Sequence, residues 1–328
     1  MKNALGLVAI VLASLAAQAP AQNPSTGSAQ GWPTRPVKIV VPSSPGGGTD
    51  IFARLLASGL SEALQRQFVV ENRPGASGNI GAAVAARAAP DGYTILVSAN
   101  PAIVINPNMY KDLPYNAERD FTPVARGVIS PLVYLVHPSA PARTLAELVE
   151  LGRKKPGKIT YGSAGVGSTT YLGVRLLEWT TGAKFTHIPY KGLAHASQDL
   201  LSGQINFMLS DVVTLLTQIR AGKIIALAIT HRTSELPGVP TLAEAGFPNL
   251  DVNASFMVVA PAGTPGVVIQ RLNTEINKVM KSPGVAGKLA AQVLIPFFET
   301  PEEFAATLKK EREMWASAIR RIGIQPEP

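Results

Sequence analysis

The stretch VKIVVPSSPGGGTDIFARLLASGL, residues 37–60, sets a β-branched run against a helical one, with three glycines between them. VKIVVP is short and apolar, the pattern of a buried strand. Ile51, Leu55 and Leu64 recur at roughly helical spacing, and Thr49 or Asp50 stands where a helix N-cap belongs. A glycine-rich turn at a helix start leaves backbone N–H groups pointing outward, where the helix dipole favours negative charge. The same glycines would also serve a tight turn that holds nothing.

Reading outward, FVVENR (68–73) is a second strand, NIGAAVAARAA (79–89) a small-residue helix and YTILVS (93–98) a third strand. The order β-α-β-α-β predicts a parallel sheet with helices on both faces. A second alternating series runs from the strand LVYLVH (132–137) to the strand IIALAIT (224–230). Within it, AGVGSTT (164–170) joins the strand KITYGS to the helix YLGVRLLEWTTG, repeating the glycine-rich turn of the first series. Beyond residue 264 the pattern is mainly helical. The simplest architecture is two α/β lobes joined by extended crossovers near Ile129–Val136 and Leu250–Val259. Residues 32–131 and 254–328 then form lobe 1, and residues 132–253 form lobe 2. Ligands bind at the carboxyl ends of parallel strands, so two such loops face to face would line a cleft with main-chain donors.

A chain of 328 residues can build two cores. The net charge of +8 is scattered, with no basic run of five, which argues against a nucleic-acid tract and fits a small acidic ligand or an anionic surface equally well. Lys2, the apolar ALGLVAIVLASLAA and the small residues of Ala19-Pro20-Ala21 read as a signal peptide over residues 1–21, cleaved near Ala21. There is no cysteine, so neither a disulfide nor a lipidated Cys anchor is expected.

The candidate donors are the amides of Gly46, Gly47, Gly48 and Thr49 in the first loop. In the second they are those of Gly165, Val166, Gly167, Ser168 and Thr169, with the hydroxyls of Ser163, Ser168 and Thr169. One helix terminus contributes about 0.3–1 kcal/mol, up to about 2 when partly buried. A micromolar ligand needs about 8 kcal/mol, so two loops closing on one anion are a better match than one loop alone. Neither loop is a nucleotide signature: the first lacks the Lys-Ser/Thr of a P-loop, and Thr170 stands where a dinucleotide fingerprint requires glycine. No Gly-x-Ser-x-Gly elbow, His-Glu-x-x-His or cysteine nucleophile occurs, and His137, His187, His195 and His231 show no metal-ligand spacing. No cofactor or metal is expected. Asp50 reads as a helix cap, Asp211 equally as a cap or a ligand contact, and Lys191 and Arg73 as surface or structural charges.

The ordered series VVPSSPGGGTDIFARLLA, VVENRPGASGNIGAAVAARAAPDGYTILV, ITYGSAGVGSTTYL, HIPYKG, VPTLAEAGFPNL and APAGTP resembles one family over residues 34–325. It is that of the periplasmic solute receptors of tripartite tricarboxylate transporters, the Bug or TctC-like proteins. The resemblance implies a two-lobed periplasmic binding protein of Venus-flytrap, type II-like form, each lobe a mostly parallel sheet flanked by helices. It implies a monomer, not an enzyme, that closes by hinge motion on a small carboxylate and delivers it to a two-subunit membrane permease. Ser43, Pro45, Asp50, Ser98, Asn100, Tyr171 and Asp211 complete the expected binding set. Ser43 replaces a common Phe, Tyr171 a His, Arg175 a Glu and Ser255 a Trp, which implies a reshaped pocket for a dicarboxylate, aromatic or longer than usual. Two other readings compete: a sensory subunit presenting its acid to a membrane kinase, and an exported hydrolase. The hydrolase lacks an identifiable base near any serine.

Overall fold

Strand β1 (Val37–Val41) lies between β2 (Phe68–Asn72) and β3 (Thr94–Ala99) and runs parallel to both. The computed structural model describes residues 31–250 and 252–325, so the signal peptide expected over residues 1–21 lies outside it. Helix α1 (Gly48–Leu64) follows β1, and α2 (Asn79–Ala86) follows β2. Phe52, Leu56 and Leu60 of α1 recur every four residues and are buried with Ile39 and Val41 of β1. Each such side chain stabilises the fold by about 1.5–3 kcal/mol on burial. This is the β-α-β-α-β series expected of residues 37–98.

Three strands lie outside the expected series, and the two long ones belong to the passage between lobes. β4 (Phe121–Ser130) and β10 (Ala254–Pro261) enter the first sheet, which has the order β11-β4-β10-β3-β1-β2, with β11 at Ile295–Pro296. β10 runs antiparallel to β3 and β4, so the sheet is mixed. In sequence β10 is an apolar run without alternation, because every one of its residues is buried between neighbouring strands. β4 hides its nature behind Pro123 and Gly127. Gly127 has φ +72°, and a Cβ there would fall 2.2 Å from the Phe256 carbonyl oxygen, so only glycine lets the two strands pair.

After Pro131 the chain enters the second sheet as β5 (Leu132–Val136). α3 (Leu145–Lys154), β6 (Thr160–Ser163), α4 (Thr169–Thr181), β7 (Thr186–Pro189) and α5 (Leu193–Leu201) follow. β8 (Phe207–Asp211), α6 (Val212–Arg220) and β9 (Ile225–Ile229) complete the series. The order is β7-β6-β8-β5-β9, with β5 antiparallel to both neighbours. In each sheet the antiparallel strand beside the parallel set, β10 or β5, belongs to a crossover between the two lobes. α7 (Gly266–Lys281), α8 (Pro283–Ala291) and α9 (Pro301–Arg321) then return to the first lobe. α9 opens on a capping box of Thr300 and Glu303 and buries Phe304, Leu308, Trp315 and Ile319. At the crossover it supplies Glu311, which shares Arg126 of β4 with Glu299 at 3.4 and 2.9 Å respectively.

Candidate functional site

The carboxyl ends of β1, β3, β6 and β8 point to one cleft between the sheets. At the first, Gly47 caps α1 with no side-chain hydrogen bond, and the first intrahelical bond is Ile51 N–H to the Gly47 carbonyl, 3.0 Å. The N–H groups of Gly48, Thr49 and Asp50 therefore have no partner among the described residues. Gly46 and Gly47 differ: the Gly46 N–H donates to Asp50 Oδ2 at 2.9 Å and the Gly47 N–H to the Ser44 carbonyl at 3.3 Å.

Asp50 holds the loop in shape. Its Oδ2 also accepts from Arg54 Nε, and its Oδ1 from Asn72 Nδ2, each at 2.9 Å. Burial pushes its pKa up, but the hydrogen bonds from Arg54, Gly46 and Asn72 outweigh this, and the net shift is downward. A lowered aspartate stabilises the fold above its ordinary pKa, about 3.9, and loses that contribution as pH falls through the lower folded value. Asp50→Asn should therefore be less stable than the parent at pH 7 and show a smaller loss between pH 5 and pH 2. Denaturant melts at both ends of that range check this.

At the second loop Ser168 caps α4, accepting from the Tyr171 N–H at 3.1 Å. The amides of Thr169 and Thr170 remain without partners, and so does the buried Thr169 Oγ1. Ser163 Oγ donates to the Gly165 carbonyl at 3.2 Å and accepts from its N–H at 3.1 Å, while Ser168 Oγ donates to that carbonyl at 2.7 Å. These serines hold the turn. The lobes meet across the cleft: Tyr110 OH donates to the Val166 carbonyl at 3.0 Å, and Ser77 Oγ donates to the same oxygen.

Between the two helix starts lies a cavity of about 110 Å³. A single water requires ~10–15 Å³ on this measure, so the space is on the scale of a small acid. Gly48 and Thr49 line it from the first lobe and Ser168, Thr169 and Thr170 from the second, while Leu132, Ala254 and Phe256 contribute apolar surface. Lys191 lines the cavity as well, with its residue largely exposed and no ion pair or hydrogen bond among the described residues.

The family model described as "Tripartite tricarboxylate transporter family receptor" matches residues 52–324. The chain belongs to this receptor family. It is 35% identical to protein BugT of Bordetella pertussis over 326 residues, 98% of each chain. Among solved structures, R. palustris Rpa4515 with adipate has 34% identity and a TM-score of 0.87, covering 90% of this chain and all of that one. MatC from Rhodopseudomonas palustris with bound malate has 30% identity and a TM-score of 0.83, covering 88% of this chain and all of that one.

In this receptor, eight residues of the expected binding set line the cavity: Ser43, Gly47, Gly48, Thr49, Ser98, Ser168, Thr169 and Asp211. The rest lie elsewhere. Pro45 and Gly46 are exposed on the outer side of the first turn. Ser163, Gly165, Val166 and Gly167 form the frame of the second loop, and Asp50 the frame of the first. Asn100 is buried at the crossover, where its Oδ1 accepts from the Ser255 N–H and its Nδ2 donates to Glu311 at 3.4 Å. Tyr171 stacks on His187, ring centroids 4.7 Å apart. Of the family departures, Ser43 faces the cavity with an unpartnered Oγ, and Phe256 lines the cavity beside the Ser255 position. Arg175 pairs with Glu178 within α4 at 2.6 Å.

Lys191, Ser77 and Thr170 line the cavity but stand outside the binding set expected from the sequence. The PYKG turn, residues 189–192, does carry a cation directly after a strand end, which was the available signal for Lys191. A base near a serine also exists: His187 Nε2 lies 2.7 Å from Ser163 Oγ. Ser163 is fully buried and already engaged by its own turn. Burial, aided by Arg175, lowers the His187 pKa to about 4, leaving a weak base with no orienting carboxylate among the described residues. Ser163 and His187 are hydrogen-bonded, and the His187 ring packs between Tyr161 and Tyr171, with ring centroids 4.9 and 4.7 Å away.

Proposed function

We propose that the protein is a periplasmic receptor that closes its two lobes on a small dicarboxylate and hands it to a two-subunit membrane permease. The observation that carries this reading is the pair of helix starts, α1 and α4, whose unpartnered amides converge on one cavity. One carboxylate sits against Gly48 and Thr49 or against Thr169 and Thr170, where N–H groups and helix dipoles both favour it. Lys191 then faces the second carboxylate, and the apolar wall of Leu132, Ala254 and Phe256 covers the carbon chain. Adipate in the R. palustris relative and malate in MatC support the class of ligand. The family supports the permease and the compartment.

A thermal-shift screen of the mature protein against mono-, di- and tricarboxylates tests the reading. A ligand that binds only the folded state adds about 2.7 kcal/mol of stability at a hundredfold excess over Kd. Dicarboxylates should raise the Tm, and Lys191→Met should weaken them about tenfold while leaving monocarboxylates within twofold, as expected of one partly exposed charged hydrogen bond. No shift with any acid, in folded protein freed of carried-over ligand, would overturn the carboxylate reading. Equal weakening of mono- and dicarboxylates would remove Lys191 from the site.

A further inference from the structure

We infer that the bound acid carries a hydrogen-bond donor, a hydroxyl or an ammonium group, on a carbon close to its gripped carboxylate, and that Asp211 selects for it. The inference rests on the carboxylate-receptor reading and deepens it. Asp211 ends β8 in the second lobe and is 4% exposed. It caps α6, its Oδ1 accepting from the Thr214 N–H at 3.0 Å, and Thr214 is its only hydrogen-bond partner among the described residues. The other oxygen crosses the cleft. A Cβ built on Gly48 would fall 2.6 Å from Asp211 Oδ2, and Asp211 lines the cavity. Gly48 donates one of the unpartnered amides of α1, so a carboxylate held there lies directly beside Oδ2.

Capping does not explain the charge. Ser168, in the same lobe as Asp211, caps α4 with a hydroxyl, and Thr144 and Thr300 cap α3 and α9 in the same way. An uncharged cap is as good as aspartate. No ion pair neutralises Asp211 among the described residues, and a buried carboxylate without a cation or sufficient donors is costly. Beside a bound carboxylate its charge would be repulsive. A ligand hydroxyl or ammonium between the two carboxylates resolves both problems, because it gives Oδ2 its donor and separates the charges. Burial raises the Asp211 pKa, in keeping with a carboxylate short of donors.

The test is isothermal titration of parent and Asp211→Asn with matched acids: succinate against malate and aspartate, and adipate against 2-hydroxyadipate and 2-aminoadipate. Asparagine retains the α6 cap, so the ligand-free Tm should stay close to that of the parent, and Asp211→Ser serves as a second uncharged cap. The parent should bind the better substituted acid of a pair about tenfold or more tightly than the plain one. That ratio should fall to within about twofold in both variants. Equal affinities in the parent, or a preference that survives in both variants, overturn the inference while leaving the receptor reading intact. Binding of none of these acids to folded parent protein overturns the inference together with that reading.

Discussion

Gly48→Ala should abolish most ligand binding while leaving the two lobes folded. In the structure a Cβ at position 48 would fall 2.6 Å from Asp211 Oδ2 and 2.8 Å from Phe256 Cζ. Asp211 belongs to the second lobe and Gly48 to the first, so the added methyl group acts against their approach. Alanine is otherwise well suited to the first turn of a helix. The Asp211 contact arises only when the lobes approach, whereas Phe256 belongs to the same sheet as β1 and its ring must shift in the open and closed forms alike. Forcing a methyl group into filled space costs about 1–3 kcal/mol, and the share that falls on closure should lower affinity about tenfold or more. Titration calorimetry measures the loss, and small-angle scattering with and without saturating ligand reports whether the compact form is still reached. Parental affinity would show that the lobes close without bringing α1 and β8 together.

The second large effect is on stability. Arg126 of β4 sits between Glu299 and Glu311 and stacks on Phe297, with its guanidinium 3.9 Å from the ring centre. The three charged side chains retain between 16% and 20% of their exposure, so they are poorly solvated. Glu311 feels this most: burial raises its pKa in spite of Arg126. Arg126→Met leaves two carboxylates close together with no cation, and breaking a mostly buried pair in this way costs about 3 kcal/mol, the lower end of the range for fully buried pairs. For a domain of this size the Tm should fall by roughly 6–12 °C. Adding Glu311→Gln should restore part of the loss, because one of the uncompensated charges is then gone. Calorimetric melts of the single and double variants decide it. A single variant within about 1 °C of the parent would mean that the triad is solvated and nearly neutral in its contribution.

The same triad illustrates why part of this protein cannot be read along the chain. Arg126 on β4 lies 173 residues from Glu299, in the loop before α9, and 185 from Glu311 on α9, and each alone looks like an ordinary surface charge. Lys191 reads along the chain as a surface or structural charge for the same reason. It is exposed, but it is exposed into a cleft, and only the position of the first lobe makes that side a binding wall. Asn100 shows the reverse. It directly follows β3, the right place for a ligand contact, yet the return of β10 and the packing of α9 bury it against Ser255 and Glu311.

The sequence by itself determined the alternating α/β series, the two glycine-rich loops at strand ends and the family, because each depends on local signals. Periodicity fixes strand and helix, and glycine between them fixes the turn. Burial of β10 on both sides and the interruption of β4 by Pro123 and Gly127 erased the local pattern of the two crossover strands. Which amides are free was decided by the shape of the turn, which residue type and periodicity do not display. Asp50 consumes the Gly46 N–H and Ser44 that of Gly47, while Gly48 and Thr49 remain open because no cap side chain reaches them. Hydrogen-bond partners are chosen by three-dimensional proximity, and the glycines of one loop become different only once their neighbours are in place.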